Sequence, residues 1–397
     1  MSTLKVNTIR HTGASSDAVT LASDGTCTAK ITNNLSNRNL IINGAMRIAQ
    51  RGTSSTDHGM KVVDRWNHYR EGCDENPTFA QADVASGTTP YQKGFRKSFK
   101  ITNGNQSSGA GADDYITIDH KIEAQDIANS GWDYTSTSSY ITLSFWVKSS
   151  VAQIFYGYLK SQDGTAKSYP FSTGSLSADT WTKVTKTIPG VSGLQFDNDN
   201  GHGLQLRFLP FRGVNKTDPG VTLDAWGNWS DTARVPDISN TWFNTNDATF
   251  EITGLQLEVG GTATDFEHRS YGDELLRCQR YCCQFPARTA TQGTRQSSIG
   301  KLQAYSTTAL FGHIANFPVE MRTSPTATTV GTIRVTDKNG SNWREGSSNL
   351  VANHLNKNSF GTGGWTFDST HFIAGGCATM DASKDSAANY LEFTAEL

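Results

Sequence analysis

Short segments in which apolar and polar residues alternate recur along this chain, and they constrain its fold more than any other feature. Turns rich in Gly, Asn, Asp and Ser separate them, with no helical pattern between. They include FRKSFKIT (95–102), DYITIDHKI (114–122), YITLSFWVK (140–148), LQLRFLPF (204–211) and TFEITGLQLEV (249–259). Since every second side chain of a strand shares one face, the pattern predicts two antiparallel sheets packed as a β-sandwich or jelly roll. The break at Gly254 predicts a β-bulge.

The remainder of the chain divides around that sandwich. Residues 1–37 are polar and short of large apolar side chains, which predicts an arm or a segment shared between chains. Residues 38–269 form the predicted sandwich, and 270–285 a connecting helix. Residues 286–397 contain further strand patterns, with the glycine-rich stretch SFGTGGWTF between them, and predict a second, smaller β domain.

One amphipathic helix is predicted, within RSYGDELLRCQRYCCQF (269–285). Ser270 followed by Asp273 fits a capping box, and Pro286 would end the helix. A helix of about 15 residues is marginal alone, so its apolar seam must be buried. The seam residues are spaced 4, 3 and 4 apart, and they are Tyr271, Leu275, Cys278 and Cys282.

Composition excludes several classes of function. A net charge of -2 gives no reason to expect nucleic-acid binding, and no apolar run is long enough to insert into a membrane. The first residues lack the apolar core of a secretory signal, so the chain is expected to be made in a cytoplasm. Because a cytoplasm is reducing, its six cysteines are predicted to be reduced thiols.

No enzyme or cofactor signature stands out in the sequence. The phosphate-binding, zinc-protease, nucleophile-elbow and dinucleotide motifs are all missing from it, so we expect neither catalysis nor a cofactor. Asp197 and Asp199, in the turn DNDNGHG, are weak calcium candidates, with an ordinary turn as the alternative. Cys278, Cys282 and Cys283 lack the spacing of a zinc site and are interpreted as small apolar residues.

The nine tryptophans suggest both core and surface roles. Trp146 and Trp181 lie in strand patterns and are predicted in the core. Others lie in polar, turn-rich stretches, where a flat ring could stack on a sugar or anchor a loop. The candidate glycan-binding residues are Trp229, which lies in a long irregular connection (218–247), and Trp343, Trp365 and His371 of the last domain.

Two long stretches resemble a known family. NLIINGAMRIAQRGTS (39–54), followed by VVDRW (62–66), resembles the opening of a sandwich domain found in bacteriophage tail fibres, including those of cyanophages. Residues 241–282 are similar almost throughout to the end of that domain. Trp66, Trp226 and Trp242 fall within the family pattern, which implies packing roles for them. The pair Cys282 and Cys283 departs from the aromatic residues more usual there.

The resemblance implies a virion component without enzymatic activity, usually trimeric, whose sandwich is similar to carbohydrate-binding modules. The implied partners are two further copies of the chain, tail or adaptor proteins bound through residues 1–37, and a bacterial surface polysaccharide or lipopolysaccharide. Residues 286–397 would form the distal tip, and the helix seam would face the same helix in two partner chains. A purely structural virion connector and a capsule-depolymerising enzyme are the alternatives.

Overall fold

The protein is mainly β, with short helices and antiparallel strand pairing throughout the part of the chain that the structure describes. The sequence prediction of fold class is therefore confirmed. The structure is a computed structural model, and it describes residues 5–23, 25, 27–29, 37–285, 297–307, 309–331, 333–337, 343–345, 354–366, 374, 376–382 and 389–397.

The N-terminal segment contains a small antiparallel sheet. Its strands are β1 (Thr8–Ile9), β2 (Val19–Leu21) and β3 (Cys27–Ala29). The side chains of Val6, Ile9 and Leu21 are 37%, 54% and 40% exposed, so this sheet leaves apolar surface uncovered within its own chain.

Two six-stranded sheets form the sandwich. Sheet I contains, in spatial order, β12 (Thr182–Pro189), β9 (Tyr140–Ser149), β15 (Thr249–Val259), β7 (Lys97–Thr102), β6 (Thr78–Asp83) and β4 (Ser54–Ser55). Sheet II contains β14 (Gly227–Asn228), β11 (Lys167–Ser175), β10 (Ile154–Ser161), β13 (His202–Arg212), β8 (Tyr115–Glu123) and β5 (Asn67–Glu71).

The core lies between these sheets and is rich in aromatic rings. Phe145 of sheet I meets Phe208 of sheet II edge to face, with ring centroids 5.0 Å apart, and Phe171 packs beside them. All three are fully buried. Such contacts add to the free energy gained by burying large apolar surface.

The burial of the tryptophans agrees with the prediction at some positions and differs from it at others. Trp66 and Trp242 are completely buried, and Trp226 is half-buried with its Nε1 donating to a main-chain oxygen, so their packing roles are confirmed. Trp146 and Trp181 were predicted in the core, and this is wrong, because both are only half-buried. Trp146 follows Phe145, which faces the core, so the alternation turns Trp146 outward.

The bulge predicted in β15 is present. The pairing register with β9 shifts between Thr253 and Gln256, and Gly254 has φ +64°. A Cβ atom on Gly254 would lie 2.6 Å from the ring of Phe95. Glycine is therefore required here both by the left-handed backbone and by the close approach of that ring.

The helices are short. They are α1 (Thr89–Gln92), α2 (Ala124–Ala128), α3 (Thr241–Asn244) and α4 (Tyr271–Gln279), together with a 3-10 turn at Val214–Lys216. The Ser270 side chain accepts a hydrogen bond from the Asp273 amide, which confirms the predicted cap of α4. In the described part of the chain, no helix has the length and apolar character needed to cross a bilayer.

The predicted extent of this helix, 270–285, is wrong. The helix ends at Gln279, and Cys282 begins a strand, β16 (Cys282–Phe285). Cys278 and Cys282 are each 1% exposed within the single chain, so they are not available for a seam between chains. The other two seam residues lie at the surface, with Tyr271 54% exposed and Leu275 half-buried.

Two further sheets form the C-terminal region. The smaller contains β16, β25 (Tyr390–Thr394) and β19 (Thr326–Val330). The larger contains, in order, β21 (Trp343–Glu345), β20 (Ile333–Asp337), β24 (Cys377–Ala382), β17 (Ser297–Ala304), β18 (Ala309–Asn316), β23 (Ser359–Thr366) and β22 (His354–Leu355). Because β16 pairs with β25, residues predicted to connect the domains belong to the second one.

The glycine-rich stretch SFGTGGWTF was predicted to separate strands, but residues 359–366 of it form β23. A Cβ atom on Gly361 would lie 2.5 Å from the main-chain oxygen of Gly312 in β18. Gly361 therefore allows two strand backbones to approach closely, which is a structural role within a sheet rather than a sign of a loop.

Ion pairs attach the end of the chain to the sandwich. Glu396 binds Arg65 at 2.7 Å and Arg51 at 3.0 Å, and Arg51 also binds Glu392 at 3.2 Å. The Arg65 side chain is only 1% exposed, and its guanidinium also lies 3.5 Å from the centroid of the Tyr281 ring. This network fixes the last strand against the edge of sheet II.

Candidate functional site

The outward side of sheet II is unusually polar for a surface that other parts of the chain partly cover. On β8, Ile116 and Ile118 point into the core, so the residues between them point outward. We call nine outward side chains of β5, β8, β13 and β10 the polar face, and they are Asn67, Tyr69, Thr117, Asp119, Lys121, Gln205, Arg207, Tyr158 and Lys160.

Strand register aligns these residues in rows across the sheet. Asn67 pairs with Asp119, Asp119 with Arg207, and Arg207 with Tyr158, so one row crosses four strands. The next row along β8 has Gln205 between the lysines Lys121 and Lys160. Neighbouring strands lie about 4.8 Å apart, so adjacent members of a row can contact the same ligand.

Asp119 lies at the centre of the face. Its side chain is completely buried, and its Oδ2 accepts hydrogen bonds from Arg207 Nη2 at 2.8 Å and from Gln205 Nε2. A charge so deeply buried requires such partners. The guanidinium carbon of Arg207 lies 5.6 Å from the centroid of the Tyr69 ring.

Several buried polar atoms of this face have no partner within the described residues. They are Asn67 Oδ1, Thr117 Oγ1, Asp119 Oδ1 and Arg207 Nε. A buried polar group without a hydrogen bond costs about 1–3 kcal/mol, so proteins seldom leave several together. These atoms are themselves almost inaccessible, so the hydroxyl groups of a ligand would satisfy them only after neighbouring side chains of the face shift.

The long connection between β13 and β15 covers one end of the face. Val235 from this connection packs on Leu209 and Tyr158 in a small apolar cluster. Trp229 sits beside it, with its ring centroid 5.2 Å from that of Tyr158 and 4.2 Å from Lys160 Nζ. The connection therefore covers the end of the polar face near Tyr158 and Lys160. It does not extend over the rows around Asp119.

The other edge of the face opens into a cavity of about 550 Å³. Asn67 and Tyr69 line it from β5, while Arg322 and residues 394–397 line it from the C-terminal region. Arg322 donates to the main-chain oxygen of Glu396, which holds the far wall in place. A ligand longer than the face could therefore continue into this cavity.

Of the four predicted glycan-binding residues, Trp229 lies at the polar face. Trp343 lies in β21 and Trp365 in β23, both in the seven-stranded sheet. His371 lies outside the described residues. The half-buried Trp229 contacts Tyr158 and Lys160, which fits the loop-anchoring role that the sequence left open.

The weak calcium candidates serve as turn residues. Asp197 Oδ1 accepts from Gln195, and Asp199 Oδ1 accepts from the amide of Gly201. Across the described ranges, no group of three or more His, Cys, Asp or Glu side chains is arranged to hold a metal ion.

Sequence reasoning missed the polar face because its members are remote in the chain. The available signal was local, since Thr117, Asp119 and Lys121 alternate with Ile116, Ile118, His120 and Ile122 within DYITIDHKI. Such alternation shows that one side of a strand is polar. It does not show that Arg207 lies in the same row, because that depends on long-range strand pairing.

No protein-family model and no curated protein matches the chain. Solved structures that share part of its shape include a putative sugar-binding protein from Bacteroides thetaiotaomicron, with 12% identity, a TM-score of 0.31, and coverage of 56% of this chain and all of that one. Another is the xylan-binding domain CBM22-1 of Paenibacillus barcinonensis, with 10% identity, a TM-score of 0.24, and coverage of 53% and 94%.

A third similar structure is the enzymatically active domain of tailspike protein 4 from bacteriophage CBA120, with 11% identity and a TM-score of 0.29. The match covers 56% of this chain and 21% of the tailspike chain, so this protein spans about a fifth of that structure's length. These likenesses are distant.

Proposed function

We propose that this protein binds a glycan without cleaving it, and that the saccharide lies on the polar face. The observation that carries the proposal is the row of buried polar atoms without partners around Asp119, beside the half-buried ring of Tyr69. Sugar hydroxyls both donate and accept hydrogen bonds, and the apolar side of a sugar ring can lie against an aromatic ring. Few other ligands match both properties.

A binding role without catalysis is supported by the state of the central carboxylate. Glycoside hydrolysis needs two carboxyl groups placed across the scissile bond, one of them free to transfer a proton. Asp119 is instead fully buried and held in an ion pair with Arg207. Such an acid orients neighbouring donors and is poorly placed to exchange protons with a substrate.

We further propose that the protein is a phage tail fibre or receptor-binding component, made in a bacterial cytoplasm and assembled as a homotrimer in the virion tail. The resemblance of residues 39–54 and 241–282 to the tail-fibre sandwich supports this. The exposed apolar residues of the N-terminal sheet support attachment to a tail or adaptor protein through that end. Three linked sites would raise avidity by about 10² to 10⁴ over one site.

Binding of the purified full chain to extracted bacterial surface polysaccharides, measured by calorimetry, tests the glycan proposal. Tyr69→Ala should weaken binding at least about tenfold, because it removes an aromatic surface beside the central row. Tyr140→Ala is the matched control, since Tyr140 is a 39% exposed tyrosine on β9 in sheet I. It should bind as the unmodified chain does.

Three outcomes would contradict the proposal. Equal loss of affinity in both tyrosine variants would mean that the polar face is not the site. Absence of glycan binding together with tight binding to tail proteins would favour the structural connector. New reducing ends released from the polysaccharide would show an enzyme. Solution mass by light scattering tests the trimer separately, and a monomer would refute it.

A further inference from the structure

The polar face carries a surplus of positive charge. Lys121 and Lys160 flank Gln205 in one row, on strands separated by β13. Two strand spacings place their Cα atoms roughly 10 Å apart. Arg207 lies in the next row, and Arg234 reaches the same end of the face, with its guanidinium 5.5 Å from the centroid of the Trp229 ring.

The acids near these lysines do not pair with them directly: Asp119 and Glu396 lie near Lys121, and Asp231 lies near Lys160. Lys121 Nζ donates to the main-chain oxygen of Leu397 at 2.8 Å, and Lys160 Nζ lies over the ring of Trp229. Among the residues that the structure describes, no carboxylate side chain forms an ion pair with Lys121 or Lys160. Both lysine residues are half-buried, so water solvates their side chains only in part.

The acids that reach this side of sheet II are already committed to other cations. Asp119 binds Arg207 at 2.8 Å. Asp231, from the long connection, binds both Lys216 and Arg234 at 2.5 Å. At the opposite edge, Glu396 binds the two arginines described above. These acids therefore offset the charge of Lys121 and Lys160 only from a distance, and an anion from outside the chain could pair with the lysines directly.

The pKa values of neighbouring groups reflect this concentration of positive charge. Burial lowers the pKa of Lys160, and Arg207 and Arg234 lower it further. Burial also lowers the pKa of His202 to about 3, with added repulsion from Lys121 and Lys160. Cations packed this closely raise one another's free energy, and an anion placed among them would relieve that cost.

Resting on the glycan-binding function proposed above, we propose that the bound saccharide is acidic and that its carboxylate or sulfate group sits over Gln205, between Lys121 and Lys160. The unpartnered oxygens of Asn67 and Thr117 lie in neighbouring rows of the same face. They would accept hydroxyl donors from the same or the adjoining sugar. An anion flanked by hydroxyl groups is the pattern of a uronic acid or a sulfated sugar.

An array of bacterial surface polysaccharides of known composition tests this inference with the full chain. Each polymer is presented in native form, after carbodiimide and borohydride reduction of its carboxylates to alcohols, and after solvolytic removal of its sulfates. We expect binding to acidic polymers, weakened on the order of tenfold or more when the anion is removed, as for loss of one charge-assisted hydrogen bond. The two treatments distinguish carboxylate from sulfate.

Variants at Lys160 test the position of the anion. Lys160→Gln should weaken binding to the native polymer about tenfold and leave binding to the neutralised polymer unchanged, whereas Lys160→Arg should retain most affinity. Lys183→Gln is the matched control, because Lys183 is an exposed lysine on β12 in sheet I. Lys121→Gln provides a second variant that leaves the contact between Lys160 and Trp229 intact.

Each other outcome separates this inference from the broader proposal. Equal binding to native and neutralised polymers would overturn the acidic ligand while leaving glycan binding in place. Binding to no polysaccharide would refute both. Equally tight binding to a single-stranded DNA oligonucleotide would mean that the face attracts any polyanion, and would overturn the inference as well.

Discussion

The substitution Glu396→Gln tests whether the ion pairs at the end of the chain attach the C-terminal region to the sandwich. It would leave Arg65, whose side chain is 1% exposed, without its carboxylate partner. Removing one partner of a buried ion pair costs about 3–5 kcal/mol. The Glu396 side chain is 15% exposed and Arg65 keeps a hydrogen bond to the Lys121 main-chain oxygen, so we expect about 2–3 kcal/mol.

Urea unfolding at neutral pH, followed by tryptophan fluorescence, measures this change. The matched control is Glu320→Gln, which removes a surface ion pair with Lys357 whose side chains are 56% and 44% exposed and whose N to O distance is 3.8 Å. It should cost less than about 0.5 kcal/mol, the usual value for an exposed pair. If the two variants unfold at the same urea concentration, the network does not stabilise the attachment.

Three further predictions concern stability and reactivity. Burial lowers the pKa of His68 to about 4. Between about pH 6.5 and pH 4 only the unfolded chain takes up this proton, so the free energy of unfolding falls as the pH is lowered through that range. When the pH is lowered from 7 to 5, His68→Gln should therefore lose about 2 kcal/mol less of its free energy of unfolding than the unmodified chain loses. Gly254→Ala should cost about 1–3 kcal/mol in thermal unfolding, through its positive φ and the ring of Phe95. A thiol reagent should modify the exposed cysteines long before the buried ones, and the exposed ones are Cys27 and Cys377.

Each of these has a contrary result. An unchanged pH slope in His68→Gln would mean that another group controls the acid loss. Unaltered melting of Gly254→Ala would show that the bulge can relax without cost. Rapid labelling of Cys278 or Cys282 in the native protein would contradict their burial, because burial raises the pKa of both thiols and hides them from the reagent.

Local sequence signals predicted local structure well. Alternation located five of the twelve sandwich strands, Gly254 marked the bulge, and Ser270 marked the start of α4, because each depends on a few neighbouring residues. The errors arose where distant contacts outweigh a local pattern. The helical spacing through Cys282 was overridden because residues 282–285 gain a strand partner in β25.

The sequence by itself determined that the chain is built largely from antiparallel strands and that strands such as β8 have one polar side, since both follow from period and turn chemistry. Only the tertiary structure decided that Asn67, Asp119 and Arg207 share one row, and that Lys121 and Lys160 flank a single glutamine. The order of strands in a sheet is set by core packing and long-range pairing over the whole chain, so neighbouring residues carry no record of it.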